Sequence, residues 1–126
     1  MRAVDTNVLV RLLVRDDAAQ TRAAEAFVEN GAWVSQLVLA ETLGVLDAVY
    51  ARSSAQIAAA IDLLLDHKQL TLQEADVTAL ALEHFRARPA LSFSDCLVLE
   101  IARKTRHLPL GTFDKRLGKL PGAVSV

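Results

Sequence analysis

Short apolar runs at Arg2 to Val4, Ala32 to Val34, Gln69 to Leu72, Leu108 to Leu110 and Ala123 to Val126 alternate along the chain with longer stretches of helical periodicity. Parallel strands cannot be joined by a tight hairpin and need crossover segments, so this alternation points to a parallel sheet with helical connections. The fold class is α/β. Helices are expected at residues 7–14, 17–29, 36–51, 54–66, 74–87, 94–106 and 114–119. Asp17, Ser35, Ser53, Ser94 and Asp114 stand at helix starts, where a side-chain oxygen accepts from first-turn N–H groups that lack a helical partner.

No linker, repeat or low-complexity run interrupts the 126 residues, and one domain spanning 1–126 is expected. The longest charge-free run, Asn30 to Ala40, has eleven residues, where a bilayer-spanning helix needs about 20. The start of the chain shows no apolar export signal. A lone cysteine, Cys96, forms no internal disulfide and agrees with a reducing compartment. A cytoplasmic protein is the expectation.

Ligands of open α/β sheets gather beyond the carboxyl ends of the strands, and acids stand there. Asp5 follows the first run in A-V-D-T-N-V-L-V. Glu41 lies in the second turn of the helix after Trp33 and Val34. Asp114 follows Leu108 to Leu110 in L-P-L-G-T-F-D, and Asp95 opens a helix in L-S-F-S-D-C-L-V-L-E-I-A. Taken singly, each has a structural explanation: Asp5 and Asp114 as helix N-caps, Asp95 as half of a capping box with Ser92. Glu41 is harder to explain this way, because its neighbours one turn away are Leu37, Val38, Gly44 and Val45. Its carboxylate is expected to turn inward and to require a positive partner.

Carboxylates converging at one sheet edge repel by roughly 4 kcal/mol per pair at 4 Å and an effective dielectric near 20. A divalent cation removes that conflict, and an all-oxygen ligand set selects Mg²⁺ or Mn²⁺ over zinc. His67, His84 and His107 lack metal-ligand spacing and are read as surface or packing residues. Magnesium held by carboxylates polarises a phosphate oxygen and provides an activated water, which implies a phosphate-bearing substrate. Thr6, Asn7, Ser94 and Thr112 stand beside the acids as supporting polar groups.

The net charge of -1 hides an asymmetry. From Arg86 to Lys119 there are eight cations against three acids, a net of +5, whereas the first 85 residues carry six cations against twelve acids, a net of -6. Arg11, Arg103, Lys104, Lys115 and Arg116 are therefore candidate contacts for a polyanionic backbone. Aromatics are few, and only Phe113 lies beside basic residues, so sequence-selective recognition by stacking is not indicated. The helix pair from Gln36 to Asp66 carries more apolar residues than one core-facing side needs, which suggests either a partner surface, for another copy or a regulator, or a helix sandwiched between layers.

The strings V-D-T-N-V-L-V-R-L-L at 4–13, the glutamate of Ser35 to Glu41, F-S-D-C-L-V-L-E-I-A at 93–102, and T-F-D-K-R-L at 112–117 followed by L-P-G at 120–122 together resemble the PIN domain, specifically the VapC-type toxin ribonucleases. The resemblance runs the whole chain and rests on order and spacing. It implies a five-stranded parallel sheet between helices in three α/β/α layers, an endoribonuclease, and an acidic quartet of Asp5, Glu41, Asp95 and Asp114 binding Mg²⁺ or Mn²⁺, with Thr6, Asn7 and Thr112 in support. It further implies a homodimer and a cognate antitoxin protein. Ser94 stands where many members have alanine.

Other classes fit less well. An aspartyl phosphatase of the haloacid dehalogenase type needs a second acid two residues after Asp5, and Asn7 occupies that place. A receiver domain needs paired acids after the first strand and a lysine after a later one, and neither is present. Cys96 begins an apolar run with no histidine nearby in sequence, which favours packing over a thiol nucleophile. A non-catalytic PIN-like module that binds RNA or protein is the remaining alternative.

Overall fold

The computed structural model describes residues 1–126 and divides into two compact units, Met1–Ala75 and Asp76–Val126. The first contains β1 (Arg2–Ala3), α1 (Thr6–Val14), α2 (Ala18–Val28), β2 (Ala32–Val34), α3 (Gln36–Ala48), α4 (Ser54–Asp66) and β3 (Leu70–Leu72). The second contains α5 (Ala75–Ala87, entered at its second residue), α6 (Phe93–Lys104), β4 (Leu110–Thr112), a 3₁₀ turn (Leu117–Lys119) and β5 (Ala123–Ser125). No helix is long and apolar enough to cross a membrane.

The α/β class holds and every strand pair is parallel. The strands form two ladders, however, a three-stranded sheet in the order β1-β2-β3 and a two-stranded sheet β4-β5, rather than one sheet of five. β1 has two residues, paired with β2 in the register Arg2 to Ala32 and Ala3 to Trp33.

Helix starts follow local chemistry. Asp17 Oδ1 accepts from Gln20 N–H at 2.9 Å, and Ser35 Oγ accepts from Val38 N–H at 3.1 Å. Ser53 and Gln56 form a reciprocal capping box. The cap of α6 is Ser92, whose Oγ accepts from Asp95 N–H at 3.1 Å, so Ser94 lies inside the helix and not at its start. Two helices stop earlier than the periodicity suggested, α3 before Ala51 and α6 before Arg106, because those two residues take left-handed φ values of 51° and 63°. The helix expected at 114–119 is a turn held by Asp114 leading into the single 3₁₀ turn. β4 begins at Leu110, after Pro109, which has no N–H to give a ladder.

In the first unit Leu9, Val10, Val34, Leu39, Leu43, Leu46, Ile61 and Leu64 are buried. In the second, Phe85 and Phe93 meet edge to face with centroids 6.0 Å apart, in a core with Val77, Leu97 and Leu99. Of the apolar residues between Gln36 and Asp66, Leu37, Val49 and Leu63 are exposed, Val38, Val45 and Leu65 are intermediate, and Leu39, Leu43, Leu46, Ile57, Ile61 and Leu64 are buried. Ile61→Ala should therefore lower the unfolding free energy by about 2 to 5 kcal/mol, and Leu63→Ala should change it by about 0.5 kcal/mol or less. Urea midpoints measure both; equal effects would mean that α4 is rotated from the orientation described.

Candidate functional site

In the first unit the sheet decides which acids meet. Val4 N–H donates to Trp33 O at 3.0 Å, after which the chain leaves β1 and turns into α1. Asp5 occupies the cap of that helix with extended backbone, and its Oδ1 accepts from Thr6 N–H at 2.7 Å. The hydroxyl of Thr6 donates to Glu41 Oε2 at 2.8 Å, across 35 residues of sequence. Thr6 thus touches two carboxylates, one through its backbone and one through its side chain. Asn7, the next residue of α1, is exposed.

Glu41 does not turn inward. It is exposed on the side of α3 that carries Leu37 and Gly44, while the buried side is formed by Leu39, Thr42, Leu43 and Leu46. The stripe that Glu41 interrupts faces solvent, so its charge stays hydrated and needs no cationic partner. The threonine hydroxyl, rather than an arginine or lysine, is what the structure places against it.

The second unit holds the other two acids. Asp114 is exposed, and its Oδ1 accepts from Arg116 N–H at 2.8 Å and Leu117 N–H at 3.2 Å, while its own N–H donates to Thr112 Oγ1 at 3.0 Å. Asp95 is half-buried in the first turn of α6. Ser92 accepts from its N–H, but the carboxylate does not complete the box with Ser92, in contrast to the full box at Ser53. Ser94 beside it is exposed.

None of the four acids forms an ion pair, a state they share with exposed acids such as Asp47 and Glu83, whereas Asp16 pairs with Arg11, Glu25 with Arg15, Asp76 with Lys104 at 2.8 Å and Glu100 with Arg103 at 2.9 Å. The bond from Lys104 holds the Asp76 carboxyl below its ordinary pKa. As a donor set the candidate acids suit a hard cation, since each has a carboxylate oxygen that no protein donor occupies. Asp5 and Glu41 are brought together, yet no group of three or more His, Cys, Asp or Glu side chains is arranged to hold a metal ion. Mg²⁺ commonly takes one or two protein carboxylates and keeps several waters, so the Asp5–Glu41 pair fits it as a partial ligand set.

The candidate RNA contacts separate into two kinds. Arg11 is tied to Asp16, which also accepts from Tyr50 Oη at 3.3 Å, and Lys104 is tied to Asp76. Arg103 is engaged most fully: its Nε reaches both oxygens of Glu100 and its Nη2 donates to the Pro121 carbonyl at 2.6 Å. Lys115 and Arg116 are exposed without an ion pair.

Sequence reasoning missed the network around Glu100. This carboxylate is 4% exposed, between Arg103 and the His84 ring, whose Nε2 is 3.1 Å away. The Arg103 guanidinium then lies over Gly122, where φ is 92° and a Cβ would come within 3.0 Å of Nη2. The i,i+3 spacing of Glu100 and Arg103 was a legible signal; the partnership with His84 on another helix was not. Cys96 is fully buried, and burial first, then the charge of Asp95, pushes its thiol up to about 11. It is an inert packing residue.

A model of the PIN domain matches residues 2–123, running through both units and including all four acids. The chain belongs to the PIN domain family, an α/β fold generally found in nucleases. Comparisons with curated proteins and with solved structures gave no match.

Two outcomes test this description. Glu100→Ala removes a buried acceptor from Arg103 and His84, both part-exposed, and should cost about 1 to 2 kcal/mol of stability, read as a shift of the urea midpoint; an unchanged midpoint would mean the network does not hold the unit. At pH 8 only about one thiol in a thousand at Cys96 is ionised, so a disulfide reagent should modify the native protein at least about 100-fold more slowly than the urea-unfolded chain. Equal rates would contradict the burial.

Proposed function

We propose that this PIN domain is a Mg²⁺- or Mn²⁺-dependent endoribonuclease, acting as the VapC-type toxin of a toxin–antitoxin pair. The observation that carries the reading is the Asp5–Thr6–Glu41 arrangement: two carboxylates joined through one threonine, beyond the carboxyl ends of adjacent strands and without cationic neutralisation. Family membership supplies the nuclease class. The ligand set we assign is Asp5, Glu41, Asp95 and Asp114, with Asn7, Thr6 and Thr112 in support. Asp95 and Asp114 enter on their motifs, F-S-D-C and T-F-D-K-R-L, not on a distance.

A bound magnesium ion supplies Lewis acidity toward a phosphate oxygen and makes water a better nucleophile near neutral pH. The chain supplies position. Asp5 keeps one oxygen on the N-terminus of α1 and the other outward, so its rotamer is set before any ligand arrives. The hydroxyl of Thr6 orients Glu41 by occupying one of its oxygens, and the backbone N–H groups of Arg116 and Leu117 do the same for Asp114. Lys115 and Arg116 are the candidates to meet the RNA backbone, since Arg103, Lys104 and Arg11 are engaged within the protein.

Partners follow as part of the proposal: RNA as substrate, a second copy of the chain, and an antitoxin. Exposed Leu37, Val49 and Leu63 are compatible with protein contacts. A groove of about 630 Å³ in the first unit, lined by residues including Leu12, Leu13, Leu63 and Leu70 with Arg22 and Glu25 among its polar members, is compatible with an amphipathic segment of an antitoxin.

Asp5→Asn and Asp95→Asn should each lower Mg²⁺-dependent RNA cleavage by at least about 100-fold, with circular dichroism unchanged, while Asp47→Asn, an exposed acid elsewhere on α3, should leave cleavage as it was. Full activity in either of the first two variants would remove the assigned site. Wild-type protein that leaves assorted RNAs intact with Mg²⁺ and with Mn²⁺ would favour a non-catalytic binding module.

A further inference from the structure

Phe113 is the most exposed large apolar side chain in the protein, at 85%, whereas Phe85 and Phe93 are each at 4%. A phenyl ring left in water forgoes the stabilisation that burial gives its relatives in the core. Disorder of the loop does not account for it. Thr112 Oγ1 accepts from Asp114 N–H at 3.0 Å, Asp114 Oδ1 accepts from the N–H groups of Arg116 and Leu117, and the Asp114 carbonyl accepts from Gly118 N–H at 2.9 Å. Leu117, buried at 4%, anchors the far side of the turn. The ring is therefore held out on a turn tied by four hydrogen bonds.

Its chain neighbours say what the ring would meet. Thr112 and Asp114 flank it, and Lys115 and Arg116 follow, both exposed and outside any ion pair. An aromatic face beside uncommitted cations is the pairing by which proteins hold single-stranded nucleic acid, one base on the ring and the adjoining phosphates on the cations. One exposed apolar residue, Val126, whose N–H donates to Thr112 O, also stands nearby; a contact with another protein would favour a broader apolar surround than that and no cations at its edge.

We propose that Phe113 is a base-stacking platform for single-stranded RNA, with Lys115 and Arg116 holding the phosphates beside the stacked nucleotide. This rests on the reading of the chain as a ribonuclease and adds a subsite to it. One ring stacks one base and every base offers a π-face, so the subsite favours an unpaired nucleotide without choosing its identity. That is compatible with the scarcity of aromatics elsewhere among the basic residues.

The test uses the full chain in EDTA and fluorescence anisotropy with a labelled single-stranded RNA decamer, compared with a decamer of the same backbone containing abasic positions. Wild type should bind the intact RNA about 10-fold more tightly than the abasic strand, at the lower end of what one stacked base contributes. Phe113→Ala and Phe113→Leu should bind both strands alike, at the abasic level, and Phe113→Trp should restore the difference. Lys115→Ala should weaken both strands equally and flatten the salt dependence.

Undiminished discrimination in Phe113→Ala and Phe113→Leu would overturn the proposal. A changed elution volume of Phe113→Ala on size exclusion would overturn it too, assigning the ring to a protein contact. Cleavage by wild type in Mg²⁺ separates the two ideas: an active enzyme whose Phe113 variants still discriminate loses only the stacking subsite, whereas a wild type that neither binds nor cuts RNA loses both.

Discussion

The parallel pairing of β1 with β2 is the constraint on which the first unit's site depends. Two strands running side by side in the same direction end at the same level, and each must hand over to a helix there. With Ala3 opposite Trp33, Asp5 and Ser35 stand two residues beyond a matched pair and cap neighbouring helices. Glu41 then lies less than two turns into α3, within reach of the first residue of α1. The Thr6–Glu41 hydrogen bond follows from strand register. β3 repeats the pattern, since Gln73, the residue after it, donates its N–H to Val34 O and accepts from Gln36 N–H through Oε1.

Several acids of the chain meet an arginine or lysine, and these pairs tie structure together: Asp16 with Arg11 where α1 ends, Asp76 with Lys104 between α5 and α6, Glu100 with Arg103 under the turn at Pro121. The acids beyond the strand ends and in the first turn of α6 are not paired this way. Their oxygens face backbone N–H groups, a threonine hydroxyl or solvent, groups that orient a carboxylate without cancelling its charge. A carboxylate held in place but still anionic is the condition under which a hard divalent cation binds.

What the sequence made legible was mostly local. Strands separated by helical stretches, and the caps at Asp17, Ser35 and Ser53, depend on residues a few positions apart, and they stand where expected. The start of α6 was misplaced because Ser92 and Ser94 are both good caps and only the backbone decides between them. The division into a three-stranded and a two-stranded sheet, where the resemblance implied one sheet of five, was not legible, since runs of two or three residues do not show which strands are neighbours. Glu41 was misjudged for a related reason: periodicity shows that α3 has apolar residues on more than one side, not which side meets the core. Long-range partnerships such as His84 with Glu100 leave no mark in spacing at all.

The central claim is that Asp5 and Glu41, joined through Thr6, hold a divalent cation. Titration of Mn²⁺ into the folded protein, followed by loss of the free-ion electron paramagnetic resonance signal, tests it most directly. Saturable uptake by wild type, weakened at least about 10-fold when Asp5→Asn and Glu41→Gln are combined with the fold intact, is the outcome predicted. No uptake by wild type, or the same uptake in the combined variant, would contradict it.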